Sequence, residues 1–219
     1  MRYKLVVFDL DGTVLNTIGG LTNAVNAVLD ANGLPVKTKD QVQSMIGNGT
    51  RKLIERCLGD GADEQLVLKI YSEYQEFYRD NCLYDTFPYD GITDMLKALN
   101  QAGVKCAIVT NKPDAPAKTL IREHFGDLIV ETHGNVPQVP VKPDPTFVYK
   151  TMENLGVTPS ETVYIGDSDV DIKTGIAAGT DYISVDWGFR SRSFLIENGA
   201  GIIFSDPVKL TSYLLDQSK

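Results

Sequence analysis

The segment Leu5-Val6-Val7-Phe8 is apolar throughout and is followed directly by Asp9-Leu10-Asp11-Gly12-Thr13. A strand with one wet face alternates apolar and polar residues, so an unbroken apolar run suits a parallel strand covered on both faces. Cys106 to Val109, Leu128 to Val130, Val163 to Ile165 and Tyr182 to Val185 have the same character. Between them lie helical patterns over Ile92 to Gln101, Ala115 to His124 and Pro145 to Leu155, stopped by Gly103, Gly126 and Gly156. Alternation of this kind predicts an α/β fold, a doubly wound parallel sheet with a Rossmann-like core, over residues 1–15 and 86–219.

Residues 16–85 differ. They carry helical periodicity, as in Leu21, Val25, Val28 and Leu29, then Leu66, Ile70, Tyr74, Phe77 and Tyr78, without a strand-like run. They are expected to form an inserted all-helical domain, left through the turn-rich stretch Asp85 to Gly91. An insertion directly after the first strand lies over that strand's carboxyl end, where open α/β sheets bind ligands.

With 42% hydrophobic residues the chain can bury a core, and its formal net charge of -8 argues against nonspecific binding to nucleic acid or to anionic membranes. Cys57, Cys82 and Cys106 form neither a CxxC site nor a disulfide framework and read as reduced thiols. The basic start Met1 to Lys4 precedes an apolar run that Asp9 cuts short of a signal-peptide core. No segment approaches the roughly 20 apolar residues of a membrane span. A cytoplasmic protein is expected.

Two acidic clusters stand at strand ends: Asp9 and Asp11 after the first, and Gly166-Asp167-Ser168-Asp169-Val170-Asp171 after another. Burying carboxylates is costly unless they are paired or hold a metal. The plain structural alternatives are a turn at Asp11-Gly12 and helix capping by Ser168 or Asp169. Neither cluster is an EF-hand: counting from Asp9 the sixth and twelfth positions are Val14 and Gly20, and from Asp167 they are Ile172 and Ala178. Hard oxygen donors instead suit Mg²⁺, and with only His124 and His133 present zinc is not expected. A third strand runs into Thr110-Asn111, a hydroxyl and an amide able to donate to phosphate, and Lys142 stands in Val141-Lys142-Pro143 before a helix. Asp9, Asp11, Asp167 and Asp171 bring four negative charges and a phosphate ester roughly two more. Such a site needs both a metal and a cation such as Lys142.

Asp9 to Val14, Thr110-Asn111, Lys142-Pro143 and Gly166 to Asp171, in this order, resemble the four motifs of the haloacid dehalogenase superfamily, and the insertion resembles the helical cap of its phosphoglycolate phosphatase and phosphomutase branch. The resemblance implies a Mg²⁺-dependent phosphatase. Asp9 would be the nucleophile forming an aspartyl phosphate, Asp11 the general acid and base, and Lys142 the catalytic cation. Thr110, Asn111 and Gly12 would bind phosphate. Mg²⁺ would sit on Asp9, Asp11 (through its backbone carbonyl) and Asp167, with Asp171 and Thr13 behind them. In the cap, Gly47-Asn48-Gly49 and Arg51 resemble the phosphoglycolate phosphatase segment, and Arg51 would pair with a substrate carboxylate. Asp186 to Ser191 resembles the same group. Asn16, often Asp in the family, and the loop from Asn135 to Val141 depart from it.

The expected substrate is a small phosphorylated metabolite, an acid such as 2-phosphoglycolate, and the chain a monomer or homodimer. Competing readings are a β-phosphoglucomutase-like phosphomutase, a sugar-phosphate phosphatase, a pyrophosphatase and a non-enzymatic regulatory protein.

Overall fold

A computed structural model describes residues 2–47 and 49–216. Six parallel strands form one sheet: β1 (Leu5–Phe8), β4 (Lys105–Pro113), β5 (Glu131–Asn135), β6 (Thr162–Gly166), β7 (Asp181–Val185) and β8 (Ile203–Phe204), in the spatial order β5-β4-β1-β6-β7-β8. Strands β2 (Leu15–Asn16) and β3 (Phe87–Pro88) form a separate antiparallel pair. The first strand is thus central, with Phe8 level with Ile108 on one side and Ile165 on the other.

Both faces of β1 are buried, as its lack of alternation requires. Val6 and Phe8 share a core with Leu96 and Leu99 of helix α5 (Ile92–Gln101) and with Leu210 and Leu214 of α10 (Pro207–Asp216). Leu5 and Val7 face the other way, toward Val148 and Met152 of α7 (Thr146–Leu155) and Ala178 of α8 (Asp169–Ala178). Helices α6 (Asp114–His124) and α9 (Arg192–Glu197) complete the layers.

Between β2 and β3 the chain is helical: α1 (Ile18–Ala31), α2 (Lys39–Met45), α3 (Thr50–Leu58) and α4 (Glu64–Asn81). Thr38 and Gln41 cap the start of α2 reciprocally, and the Asp63 carboxylate accepts from the backbone N–H groups of Gln65 and Leu66 to start α4. Val67, Ile70, Tyr74 and Tyr78 form the buried stripe of α4 at helical spacing. Where the insertion begins and ends, Leu15 pairs with Pro88 and Asn16 with Phe87, so its two connections are clasped together.

The edge of the sheet departs from the sequence reading. Leu128 to Val130 is not a strand: a short 3-10 turn covers Gly126–Leu128 and the strand follows at Glu131–Asn135. An edge strand pairs on one side only and tolerates polar residues such as Glu131 and His133, so apolarity did not mark it.

Ile165 is fully buried in the strand beside β1. Ile165→Ala should lower stability by about 2–5 kcal/mol, read as a fall in urea midpoint with an unchanged slope.

Candidate active site

Register brings the chemistry together. Asp9 lies one residue beyond Phe8 and donates its backbone N–H to Ile165 O at 2.9 Å, which sets it between the carboxyl ends of β4 and β6. The carboxylates of Asp9, Asp167 and Asp171 each place an oxygen within 4.8 Å of the others, all in buried surroundings.

Lys142 enters this cluster from the loop before α7. Its Nζ is 2.7 Å from Asp171 Oδ1, 2.9 Å from Asp9 Oδ1 and 3.0 Å from the Tyr164 hydroxyl. Burial alone would lower the lysine's pKa, but the attraction of Asp171 and Asp9 outweighs it and holds the ammonium charged. The contact with Asp9 is an ion pair without hydrogen-bond alignment, which leaves Asp9 Oδ1 an unused acceptor. Asp171 is fully engaged, since its other oxygen accepts from the backbone N–H of Ser168 at 3.0 Å and from its hydroxyl at 2.6 Å. Ser168 thus stands at the start of α8, as expected of a cap, and Asp171 orients Lys142.

Asp167 is held by Thr13 Oγ1 at 3.1 Å and by the Phe189 N–H at 2.7 Å. Burial first, then the charges of Asp171 and Asp9, push its pKa up to about 8. Burial likewise lifts Asp9 to about 6, with Lys142 pulling the other way. Gly12 has φ +80°, and a Cβ there would lie 2.4 Å from Asp167 Oδ2, so the turn after β1 admits no side chain. Asp9 and Asp167 together form a set of hard oxygen donors crowded around an uncompensated charge, which fits Mg²⁺.

The Asp11 carboxylate does not join this set. It accepts from Lys112 Nζ at 2.8 Å, and the Tyr78 ring of α4 covers that ammonium at 4.6 Å. Lys112 was missed from sequence, although its signal was present: it lies two residues beyond Thr110 on a strand, so both project from one face. Asn111 projects oppositely. Its amide donates to Lys142 O at 3.0 Å and accepts from Lys142 N at 2.7 Å, which clamps the lysine's backbone. The Thr110 oxygen accepts weakly from Lys112 N at 3.3 Å, and its own proton remains available.

Asp9, Asp11, Thr110, Asn111, Lys142 and Asp167 line one cavity with Ile46, Gly47, Gly49 and Thr50 of the insertion. Arg51 is not brought to it. Its guanidinium is exposed and turned to Glu55 at 3.0 Å and Glu64 at 2.6 Å, because the residue after Thr50 falls on the outer side of α3. Asn48 lies outside the described residues. Arg190, from the loop after β7, lines the cavity instead, and Gln43 of α2 donates to the neighbouring Phe189 carbonyl at 3.1 Å. Trp187 Nε1 donates to Thr13 O at 3.0 Å, which ties this loop to the turn after β1. His124 and His133 are not among the residues that line the cavity.

Residues 6–185 match the family described as haloacid dehalogenase-like hydrolase. The chain belongs to the haloacid dehalogenase-like hydrolases and is an enzyme of their phosphatase group. It is 34% identical over 213 residues to the phosphoglycolate phosphatase of Aquifex aeolicus, covering 94% of this chain and 96% of the relative. The N-acetylmuramic acid 6-phosphate phosphatase of Pseudomonas aeruginosa is 31% identical over 220 residues, covering 98% and 96%. A solved structure from Haemophilus somnus, a predicted phosphoglycolate phosphatase, superposes with a TM-score of 0.89 at 25% identity, covering 98% of this chain and 99% of its own. Among the described residues no helix is long and apolar enough to cross a membrane.

The raised carboxyl pKa values have a consequence for stability. Asp9 and Asp167 hold their protons more tightly folded than unfolded, so in metal chelator their contribution is present below about pH 4 and is lost as pH rises through about 6 and 8. Asp167→Asn removes the larger share. In EDTA it should be more stable than the wild type at pH 8.5 by more than about 1 kcal/mol and lose this advantage at pH 4, measured by urea unfolding.

Proposed function

We propose that this enzyme is a Mg²⁺-dependent phosphate monoester hydrolase that acts through an aspartyl phosphate on Asp9, with residues 16–85 as a cap over the catalytic core. One observation carries the reading: the Asp9 carboxylate, the Lys142 ammonium and the Asp167 carboxylate meet at the carboxyl ends of adjacent central strands, inside a cavity roofed by the insertion.

An Asp9 oxygen attacks phosphorus as the bond from phosphorus to the ester oxygen breaks, and Asp11 gives the departing alcohol its proton. Water then attacks the phosphorus of the acyl phosphate, passes a proton to Asp11, and restores Asp9 with release of inorganic phosphate. Lys142 and the Thr110 hydroxyl face the charge that develops on the transferring oxygens. Lys112 holds Asp11 in place, while Asn111 and Asp171 hold Lys142, one by its backbone and one by its charge. Mg²⁺, held by Asp9, Asp167 and the Asp11 backbone carbonyl, would supply charge neutralisation of the phosphoryl group. The Gly12 backbone forms the turn after β1 and would help to bind the phosphate, with Thr13 supporting Asp167.

The substrate is assigned to the class of small phosphorylated acids, with 2-phosphoglycolate as the first member to test. Support comes from the relatives, whose substrates, phosphoglycolate and N-acetylmuramic acid 6-phosphate, are both acids bearing a phosphate. A cytoplasmic location is consistent with three buried, unpaired thiols at Cys57, Cys82 and Cys106.

The test is phosphate release from 2-phosphoglycolate, N-acetylmuramic acid 6-phosphate, sugar phosphates, nucleotides and pyrophosphate, with Mg²⁺ or with EDTA. Turnover should need Mg²⁺ and should fall at least about 1,000-fold in Asp9→Asn. An active Asp9→Asn enzyme would defeat the mechanism; preference for the phosphate ester of a neutral sugar would defeat only the substrate class.

A further inference from the structure

The cations of the cavity differ in how they are occupied. Lys112 is paired with Asp11, and Lys142 with Asp9 and Asp171. Among the described residues, Arg190 lines the same cavity with no carboxylate partner. Its Nη2 donates to the Ile46 carbonyl of the insertion, its guanidinium carbon lies 5.4 Å from the Phe194 ring, and its Nε is buried with no acceptor at all. A buried donor left unpaired on a charged group is costly, and an arginine edge of this kind matches a carboxylate.

The surroundings fix the guanidinium at that spot. Phe189, its neighbour in the chain, is pinned through its N–H to Asp167, and Ser191 accepts from the Phe194 N–H at 3.2 Å to start α9 beneath the ring that Arg190 covers. On the insertion, a Cβ at Gly47 would come within 3.2 Å of Nη2, so glycine there leaves room for the arginine. Arg56 holds the Met45 and Gly47 carbonyls at 2.6 and 2.9 Å, which leaves the Ile46 carbonyl between them to Arg190.

The geometry points to Arg190 as the residue that recognises the substrate's carboxylate, in the place that sequence resemblance gave to Arg51. This rests on the reading above that the substrates are phosphorylated acids. The phosphate is held at the strand ends by Lys142 and Thr110, and the acid group extends toward the roof, where the guanidinium of Arg190 lines the cavity without a carboxylate of its own. Specificity for an acid then comes from a core loop that reaches up to the cap, not from the cap alone.

The experiment compares 2-phosphoglycolate with ethyl phosphate, a monoester of similar size without the carboxylate, in the wild type and in Arg190→Gln, Arg190→Lys and Arg51→Gln. The wild type should prefer the acid. Arg190→Gln should raise KM for 2-phosphoglycolate about 10- to 100-fold, with kcat/KM for ethyl phosphate held within about twofold. Arg190→Lys, which keeps the charge but lacks the planar guanidinium fork, should fall between. Ethyl phosphate turnover in the same preparation separates lost recognition from lost folding. A wild type without preference for the acid overturns the substrate class and this assignment together. Preference that survives in Arg190→Gln, or that is lost in Arg51→Gln instead, overturns the assignment alone.

Discussion

Like charges confined in a small buried volume are the constraint around which this molecule is arranged. Asp9, Asp167 and Asp171 bring carboxylate oxygens within 4.8 Å of one another. At an effective dielectric of about 20, each such pair repels by at least about 3 kcal/mol if both are ionised. Lys142 answers two of the three, being in direct contact with Asp9 and Asp171. Asp167 is left with a hydroxyl and one backbone N–H, and its pKa rises accordingly. A fold that retains such an arrangement gives up stability in the metal-free state, which is the cost expected of the cation and anion site proposed above.

The sheet order explains why the burden falls where it does. With β1 between β4 and β6, three consecutive carboxyl ends deliver Asp9, Thr110 and Asp167 to one place without any long loop having to find its way there. Insertion of the helices immediately after β1 then sets the roof over the strand that leads into Asp9, and the β2–β3 pair brings the roof's two connections side by side.

Much of this was legible in the sequence because each group follows a strand end or precedes a helix, where apolar periodicity stops. Asp9, Asp167 and Lys142 are all of that kind, and the helical insertion was visible from the helical spacing of its apolar residues. What stayed hidden depended on side-chain direction. Reading β4 as ending at Val109 concealed that it runs on to Pro113, so that Thr110 and Lys112 share a face while Asn111 turns to the backbone of Lys142. Arg51 was attractive because it follows Gly49 at a helix start, yet its position on α3 directs it to Glu55 and Glu64. Strand β8 is apolar but only two residues long, and the edge strand β5 is largely polar, so only pairing with β7 and β4 defines them.

The roof and the floor of the cavity are not independent parts. Tyr78, from the insertion, covers the ammonium of Lys112, which in turn holds Asp11. Gln43, also from the insertion, bonds the carbonyl of Phe189, whose N–H holds Asp167. Thus two of the core's carboxylates are each one residue removed from a side chain of the helical layer. A change of substrate size worked into α4 or α2 therefore reaches the groups assigned to proton transfer and metal binding. The carbonyls of Ile46 and Gly47 meet Arg190 and Arg56 and not a carboxylate of the core, so altered specificity worked in there reaches the chemistry less directly.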